Sequence, residues 1–399
     1  MAIAEYNFDQ MVIRRHTNCV KWDEAEDDDI IPLWVADMDF PTAPSIVDAL
    51  RERVEHGIFG YTHVPQSYYD SIVNWFHTHH DWSIQRDWII YTSGVVPAIS
   101  AVIKALTEPG DKVLVQTPVY NCFFSSIRNN GCEVMESPLI VCNDGEQPTY
   151  SIDFEDFEKK VSDPRTKLFL LCNPHNPAGR VWTKDELVMM NNICMKHGVM
   201  VIADEIHCEL VMPGHHFIPF ASISEECQQN SITCNSPSKA FNIAGLQISN
   251  IICSDPETRQ LINRAININE VCDVNPFGVI ALQAAYNEGE RWLKELNNYI
   301  YDNYISLLSY FKIYMPDLKV FELEGTYLVW VDITATGKKS NEFAKLLLKE
   351  GKVWVNSGTM YGKKAGEGYI RINIACPRKR MMEGLRRIRQ VIYEGKDTF

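Results

Sequence analysis

The middle of the chain alternates between two hydrophobic patterns. Short runs such as 167-KLFLLC-172 and 199-VMVIADEI-206 are apolar at almost every position, which is typical of strands covered on both faces of a parallel sheet. Between them, Thr183 and Glu186 form a Thr-x-x-Glu capping box that predicts the start of a helix, and Gly198 predicts its end. Strand, helix and strand in this order predict a parallel crossover connection.

The same alternation continues on both sides of this unit. Further strands are predicted at 88–92, 112–116, 231–235 and 248–253, and further helices at 93–106 and 120–131. The first of these helices follows its strand through the glycine turn 93-SGVV-96. Repeated alternation of strands and helices predicts an α/β fold, a three-layer sandwich around a mostly parallel sheet.

The pattern changes near residue 277. One long helical stretch is predicted to about residue 314, followed by a strand at 326–333, a helix at 341–351, a strand at 368–374 and a basic helix at 378–393. This order is typical of an α+β unit. We therefore predict a large domain formed by residues 48–288 and a smaller domain formed by 1–47 and 289–399, with an N-terminal arm.

Composition narrows the possible partners. The 399 residues carry a net charge of −14, which disfavours nucleic acid or an anionic membrane as the main partner. No apolar stretch approaches the roughly 18 residues of a membrane span, and the N-terminus lacks a signal-peptide pattern. The 12 cysteines include no CxxC pair, so we predict no metal site and expect buried thiols in a reducing cytoplasm.

Three polar residues follow predicted strands of the sheet. They are Asn176, Asp204 and Lys239, and ligands of open parallel sheets bind outside the carboxyl ends of the strands. Each also has a simple structural interpretation: Asn176 in a proline-rich turn, Asp204 paired with a surface arginine, and Lys239 on a loop. His207 is similarly explained as a core histidine. The joint placement of the three along one sheet edge favours a binding site.

A lysine, a carboxylate, an amide and a phosphate site together suit pyridoxal 5′-phosphate (PLP). Its aldehyde forms a Schiff base with a lysine amine, and a carboxylate keeps its ring nitrogen protonated, so that the ring accepts electrons. The start of the helix at 93-SGVV-96 offers free N–H groups to the phosphate. Ser236 and Ser238, beside Lys239, add hydroxyl donors.

Over nearly its whole length the chain resembles fold-type I PLP-dependent enzymes of the aspartate aminotransferase superfamily. It is most similar to the cystathionine β-lyase-like C–S lyases related to the bacterial maltose-regulon modulator. The matching stretches are 34-WVADMDF-40, 59-FGYT-62, 118-PVYNCF-123, 172-CNPHNPAGR-180, 204-DEIHCEL-210, 238-SKAFNIAGLQ-247 and 371-RINIACPR-378. The resemblance implies a PLP-dependent transferase-like major domain.

The resemblance also implies roles around the cofactor ring. Lys239 would hold PLP and later move the Cα proton of the substrate. Asp204 would pair with the pyridinium nitrogen, and Asn176 would donate to the ring oxygen. Tyr120 would stack on the ring; the alternative is an ordinary aromatic residue at a helix start.

Further implied roles concern the phosphate and the substrate. Backbone N–H groups of Gly94 and Val95 would bind the phosphate, and Tyr61 would reach the phosphate of a neighbouring subunit, which implies a homodimer. Arg371 would bind the substrate α-carboxylate, for which a planar guanidinium is suited, unless it forms a strand-edge salt bridge. Ala36 would bring backbone close to that carboxylate.

Two positions depart from typical aminotransferases of this superfamily. His207 stands where a tyrosine usually reaches the ring oxygen, as in the lyase-like branch. Gln247 stands where many members have a phosphate-binding arginine, so Ser236, Ser238 and backbone would hold more of the phosphate. Both departures point away from a typical aspartate aminotransferase.

The resemblance favours α,β-elimination of L-cysteine S-conjugates to a thiol, pyruvate and ammonia. An aminotransferase would use the same residues and is the alternative. From another class, a regulatory module could keep PLP and act by contacting a protein. Loops near Asp37, Tyr61 and Met360 are expected to contact the distal part of the substrate.

Overall fold

A computed structural model describes residues 6–143, 145–268 and 274–393. The largest sheet within these residues has seven strands. In chain order they are β1 (Ile89–Thr92), β2 (Lys112–Val115), β3 (Glu133–Glu136), β4 (Thr166–Cys172), β5 (Met200–Asp204), β6 (Ser231–Asn235) and β7 (Ser249–Ile252). Across the sheet the order is β1-β7-β6-β5-β4-β2-β3, and only β7 runs antiparallel to its neighbours. The predicted α/β class with a mostly parallel sheet is confirmed.

The crossover between β4 and β5 has the predicted form. Its helix, Lys184–Lys196, begins at a capping box in which Thr183 accepts from the Glu186 N–H and the Glu186 side chain accepts from the Thr183 N–H. The parallel register pairs Cys172 with Asp204. The carboxyl ends of β4 and β5 therefore meet at one edge of the sheet, where the polar residues that follow them come together.

Helices cover both faces of the large sheet. Further helices follow in the last third of the chain. Those of eight or more described residues are Pro44–His56, Gln66–His80, Val95–Leu106, Asn121–Asn129, Phe154–Val161, Lys184–Lys196, Pro256–Asn267, Pro276–Glu288, Glu290–Tyr314, Ser340–Lys349 and Arg378–Tyr393. None of the described helices combines the length and hydropathy needed to cross a bilayer.

The prediction of a single long helix between residues 277 and 314 was wrong. The structure has two helices, Pro276–Glu288 and Glu290–Tyr314, which meet at Gly289. A Cβ atom at Gly289 would lie 2.4 Å from the ring of Phe241 and 2.5 Å from the carbonyl oxygen of Ala285. The glycine therefore allows the chain to turn tightly against Phe241, although the helical pattern continues through the break.

A second, antiparallel sheet lies in the last third of the chain. Its strands are β8 (Lys319–Val320), β9 (Leu328–Asp332), β10 (Asn356–Ser357) and β11 (Tyr369–Asn373), in the order β8-β9-β11-β10. The N-terminal segment reaches this region, because Ile31–Pro32 pairs in parallel with Val353–Trp354. A further hairpin joins Ile140–Cys142 to Thr149–Ser151. The domain boundaries at residues 47/48 and 288/289 remain our proposal.

Candidate active site

A cavity of about 190 Å³ lies at the carboxyl edge of the large sheet. It brings together most of the residues predicted from the sequence: Ala36, Gly94, Val95, Tyr120, Asn176, Asp204, His207, Ser238 and Lys239. Ser236, Tyr61 and Arg371 are not among the lining residues. Residues from six separate parts of the chain thus meet at the sheet edge, where ligands of such folds bind.

Lys239 is held against the backbone of the N-terminal segment. Its Nζ donates to the Ala36 carbonyl oxygen at 2.7 Å, and the Tyr327 hydroxyl donates to the same oxygen at 3.0 Å. Burial lowers the pKa of the Lys239 amine and the charge of Arg371 adds to this effect, whereas Asp37 and Asp204 oppose it. A lowered pKa makes the neutral amine more available, which suits a nucleophile or a general base.

Asp204 is a buried carboxylate at the end of β5. It is 4% exposed, and its Oδ1 accepts from the Ile206 N–H at 3.1 Å. Burial raises the pKa of its carboxyl to about 7. No lysine or arginine of the described residues forms an ion pair with Asp204, so its interpretation as the partner of a surface arginine does not hold. A cationic ligand group would stabilise its charged form.

Arg371 lies behind Asn176 on β11. Its Nη1 donates to the Asn176 Oδ1 at 3.0 Å and its Nη2 donates to the Trp34 carbonyl oxygen at 2.8 Å. The guanidinium is 3% exposed and stacks 4.8 Å from the ring centre of Tyr361. Among the described residues, its Nε has no hydrogen-bond partner and no carboxylate pairs with the guanidinium. The predicted alternative of a salt bridge therefore does not hold, and a buried cation remains for an anionic ligand.

The phosphate site predicted at 93-SGVV-96 is the open end of a 12-residue helix, Val95–Leu106. Gly94 occupies the N-cap and provides no side-chain cap, so the first N–H groups of the helix are available to an anion. Ser93, Ser238 and Gln247 line the cavity at the same place. The helix dipole and these donors favour a negatively charged group.

Ser236 has a different position from the one expected. Its hydroxyl donates to the Ile248 carbonyl oxygen at 2.5 Å and accepts from the Ser238 N–H at 3.0 Å. These bonds fix the loop that carries Lys239, and Ser236 is buried without lining the cavity. Its predicted contact with a cofactor stays a prediction.

Tyr120 and His207 contribute rings to the cavity. Tyr120 occupies the N-cap position of the helix Asn121–Asn129 without a side-chain cap. Burial raises the pKa of its phenol. His207 is 3% exposed, and its Nδ1 has no partner among the described residues. Burial lowers the pKa of His207, so its imidazole is neutral at neutral pH and both rings are uncharged.

Tyr61 lies outside this cavity in a single chain. Its side chain is 96% exposed, and its predicted contact with a neighbouring subunit stays a prediction. A second cavity of about 650 Å³ adjoins the first one, and both are lined by Ser93 and Pro97. The phosphate end of the site is thus reachable from outside the chain.

Three residues next to the predicted site were not predicted from the sequence. Tyr327 and Trp34 fix the positions of the Ala36 carbonyl and of Arg371, and Tyr361 packs on the Arg371 guanidinium. Trp34 lies in the motif 34-WVADMDF-40, which was a usable signal. Tyr327 and Tyr361 carry no motif, since only the pairing of distant segments brings them here.

Comparison with known proteins places the chain in a family. The family of class I and II aminotransferases matches residues 28–388. The chain is 42% identical to cystathionine β-lyase PatB of Bacillus subtilis (strain 168), over 97% of this chain and 100% of that protein. The chain therefore belongs to the class I and II aminotransferase family, and the family predicted from the motifs is confirmed.

Solved structures agree with this membership. A PLP-bound protein of Clostridium difficile 630, described as a candidate aminotransferase, superposes with a TM-score of 0.94 at 46% identity, covering 97% of this chain and 100% of that one. The PLP-bound C–S lyase of Staphylococcus hominis gives a TM-score of 0.90 at 36% identity, covering 98% and 99%. Both similar proteins hold PLP.

The residues of this chain fit the same cofactor. An amine with a lowered pKa, a buried carboxylate without an ion-pair partner, and an uncapped helix start all face one cavity. These groups match the aldehyde, the ring nitrogen and the phosphate of PLP respectively. The amide of Asn176 lies beside them for the ring oxygen.

Proposed function

We propose that the protein is a PLP-dependent carbon–sulfur β-lyase that acts on L-cysteine S-conjugates such as cystathionine. The full-length identity of 42% with a cystathionine β-lyase carries this proposal. The similarity to a PLP-bound C–S lyase supports it independently. The cofactor is PLP, and the substrates are small amino acids.

When bound, PLP withdraws electrons from the Cα atom of the attached amino acid. The Lys239 amine removes the Cα proton, for which its lowered pKa is suited. The Asp204 carboxylate would pair with the ring nitrogen and keep it protonated. Because Asp204 is 4% exposed, little water screens this interaction.

Arg371 and Asn176 orient the substrate. Arg371 binds the α-carboxylate as a buried guanidinium with donors to spare, since its Nε is unpaired. Its bond to Asn176 at 3.0 Å links carboxylate binding to the group beside the ring oxygen. Loss of the Cα proton and of the bond between Cβ and sulfur releases a thiol, and hydrolysis of the remaining fragment gives pyruvate and ammonia.

The test is an assay of the PLP-loaded protein with cystathionine and other S-conjugates, in which thiol, pyruvate and ammonia are measured together. We expect the three products in equal amounts. An aminotransferase would instead form a keto acid that retains its sulfur group, and would need an acceptor keto acid. Normal PLP loading with transamination alone would reject the lyase proposal, and the Lys239→Ala variant gives the background.

We further propose a homodimer in which each chain completes the other's site. The loop before Tyr61 is strongly apolar for a surface: Ile58 is 67% exposed and Phe59 is 55% exposed. Exposed apolar groups next to each other are typical of an interface. In this arrangement the partner's Tyr61 enters the cavity of about 650 Å³ and reaches the phosphate end at Ser93.

Mixing two inactive variants tests the shared site. Dimers of Lys239→Ala with Tyr61→Ala contain one site with both native residues, so random exchange of subunits is expected to restore about a quarter of the wild-type activity. If Tyr61 acts within its own chain, mixing restores nothing. Light scattering on the same samples measures the mass of the assembly.

A cytoplasmic location is also part of the proposal. The described cysteines are free, and most of them are buried. Such thiols persist where the surroundings are reducing.

A further inference from the structure

A second cluster of reactive groups lies outside the cavity that holds Lys239. It consists of His80, Cys208 and Glu209, whose ligand atoms all lie within 4.8 Å of one another. The His80 Nε2 is 2.8 Å from the Glu209 Oε1, and the Cys208 Sγ is 3.5 Å from the same oxygen. The proposed elimination chemistry uses none of these three groups.

The donors are buried and held in place. Cys208 is 2% exposed, and the side chains of His80 and Glu209 are 7% and 8% exposed. The His80 ring packs between Phe76 and Phe217, with ring centres 5.3 and 5.4 Å away. The imidazole therefore has little freedom to turn away from the cluster.

Neighbouring groups also fix the carboxylate. The Trp75 Nε1 donates to the Glu209 Oε1 at 2.7 Å, and a hydrogen bond of this kind orients carboxylates that bind metal ions. The Asn297 Nδ2 donates to the backbone carbonyl oxygen of Glu209 at 2.7 Å and so holds its main chain. The Trp75 bond is compatible with metal binding, because an ionised carboxylate has several lone pairs.

The distances agree with the size of a zinc ion. Tetrahedral zinc with usual bond lengths separates nitrogen from oxygen by about 3.3 Å and sulfur from oxygen by about 3.6 Å. The observed 2.8 and 3.5 Å between these atoms require the nitrogen and oxygen to separate by about half an ångström. The His80 nitrogen and the Cys208 sulfur, which lie within 4.8 Å of each other, would have to settle at about 3.6 Å. A metal would replace the protons that now hold the cluster together, leaving a thiolate and a neutral imidazole and releasing protons.

An approach route exists on the side of Glu209. A cavity of about 380 Å³ is lined by Glu209 together with His79, His215 and Glu290. Glu209 is the one proposed ligand that lines this cavity, so an ion would enter past its carboxylate and take a water molecule from the cavity as the fourth ligand, as in zinc sites with an open position. Thiolate and imidazole together select zinc or a similar borderline-soft ion over magnesium or calcium.

We propose that His80, Cys208 and Glu209 bind one divalent ion of the zinc class, separate from the PLP site. Cys208 and Glu209 follow Asp204 and His207 in the same short segment. Metal binding therefore holds in place the segment that carries the two residues lining the PLP cavity. No spacing motif marks this site, because His80 lies more than 100 residues before Cys208.

The experiment uses the PLP-loaded protein after treatment with a chelator. Zinc is added and excess is removed, and elemental analysis is expected to find about one zinc ion per chain. Replacement by cobalt is expected to give a thiolate-to-metal absorption band in the difference spectrum, from which the PLP absorption cancels. Cys208→Ser is expected to lose this band and to weaken zinc binding by at least about 100-fold.

Cys194→Ser is the matched control. Cys194 is equally buried, but it belongs to an apolar core cluster and lies in no metal-ligand group found among the described residues. It should keep the cobalt band and the zinc stoichiometry. His80→Gln provides a second variant in case Cys208→Ser misfolds. Absence of stoichiometric zinc from the wild type at micromolar zinc, or an unchanged cobalt band in folded Cys208→Ser, would overturn the proposal.

Discussion

Two groups of buried charges among the described residues differ in how they are paired. The first surrounds Asp39, whose carboxylate is 0% exposed. It receives Arg14 at 2.8 Å, Arg380 at 3.0 Å and Lys21 at 3.3 Å, together with the indole N–H of Trp22 at 2.9 Å. Burial alone would raise the pKa of Asp39, but the charges of Lys21 and Arg380 keep it below its usual value.

The second group lines or adjoins the PLP cavity and lacks such pairs. Among the described residues, Asp204 and Arg371 form no ion pair, and the Lys239 amine donates to a backbone carbonyl. Burying unpaired charges is unfavourable unless a ligand compensates. The paired charges around Asp39 therefore stabilise the fold, whereas the unpaired charges at the cavity are available to a cofactor and a substrate.

The largest effect is expected from Lys239→Ala. Removing the amine should lower the rate of thiol release at least about 10³-fold, because the proton at Cα loses its base. The melting temperature of the cofactor-free protein should hardly change, since this amine bonds only the Ala36 carbonyl in the structure. Product assays and thermal melts measure the two quantities, and activity within tenfold of the wild type would contradict the role.

Asp39→Asn should have the opposite profile. Its loss leaves three buried or half-buried cations without their shared carboxylate, and breaking such a group typically lowers the free energy of unfolding by about 3–5 kcal/mol. Urea unfolding of the cofactor-free protein measures this change. Asp37→Asn is the comparison variant, because Asp37 pairs with Arg14 and Lys21 of the same group but its side chain is 22% exposed. It should lose less stability than Asp39→Asn, and an equal loss would show that the burial of Asp39 does not strengthen its pairs.

The dependence of stability on pH should also differ between the two groups, because burial raises the pKa of Asp204 whereas the pKa of Asp39 is lowered. The pKa of Asp204 is raised to about 7 by burial, so the folded cofactor-free protein binds this proton more tightly than the unfolded chain. Stability should therefore fall as the pH rises from about 4 to about 7, by an amount on the order of 4 kcal/mol from this group.

Asp204→Asn should reduce this fall, because the amide does not titrate. The slope of stability against pH that remains in this variant comes from Glu205, because burial raises the pKa of its carboxyl to about 8. Urea unfolding at several pH values measures the profiles. Identical slopes in the variant and the wild type would show that Asp204 is not buried as a proton-binding carboxyl.

The smallest effect is expected from Arg371→Lys. The substitution keeps the positive charge but loses the planar donor pair and the contact with the Tyr361 ring. Loss of a charge-assisted hydrogen bond corresponds to about 1.5–3 kcal/mol, or roughly 10–100-fold in kcat/KM. Steady-state kinetics with a cysteine conjugate measure this ratio, and an unchanged value would place the substrate carboxylate elsewhere.

Much of the fold and part of the site followed from local signals. The apolar runs and the capping box at Thr183 predicted the parallel unit from β4 to β5. Since parallel strands end at one edge, Asn176, Asp204 and Lys239 were expected to meet, and all three line one cavity. The break at Gly289 was missed because hydrophobic periodicity does not register a turn that one missing side chain permits.

The sequence by itself determined the class of fold, the family and the residue types of the site, because strand periodicity, caps and motifs are local. Tertiary structure alone decided which groups are paired. It paired the Ser236 hydroxyl with the Ile248 carbonyl, joined Arg371 to Asn176, and brought His80 to Cys208 and Glu209. These contacts connect residues far apart in the chain, and their energies depend on burial and distance, which no short stretch of sequence contains.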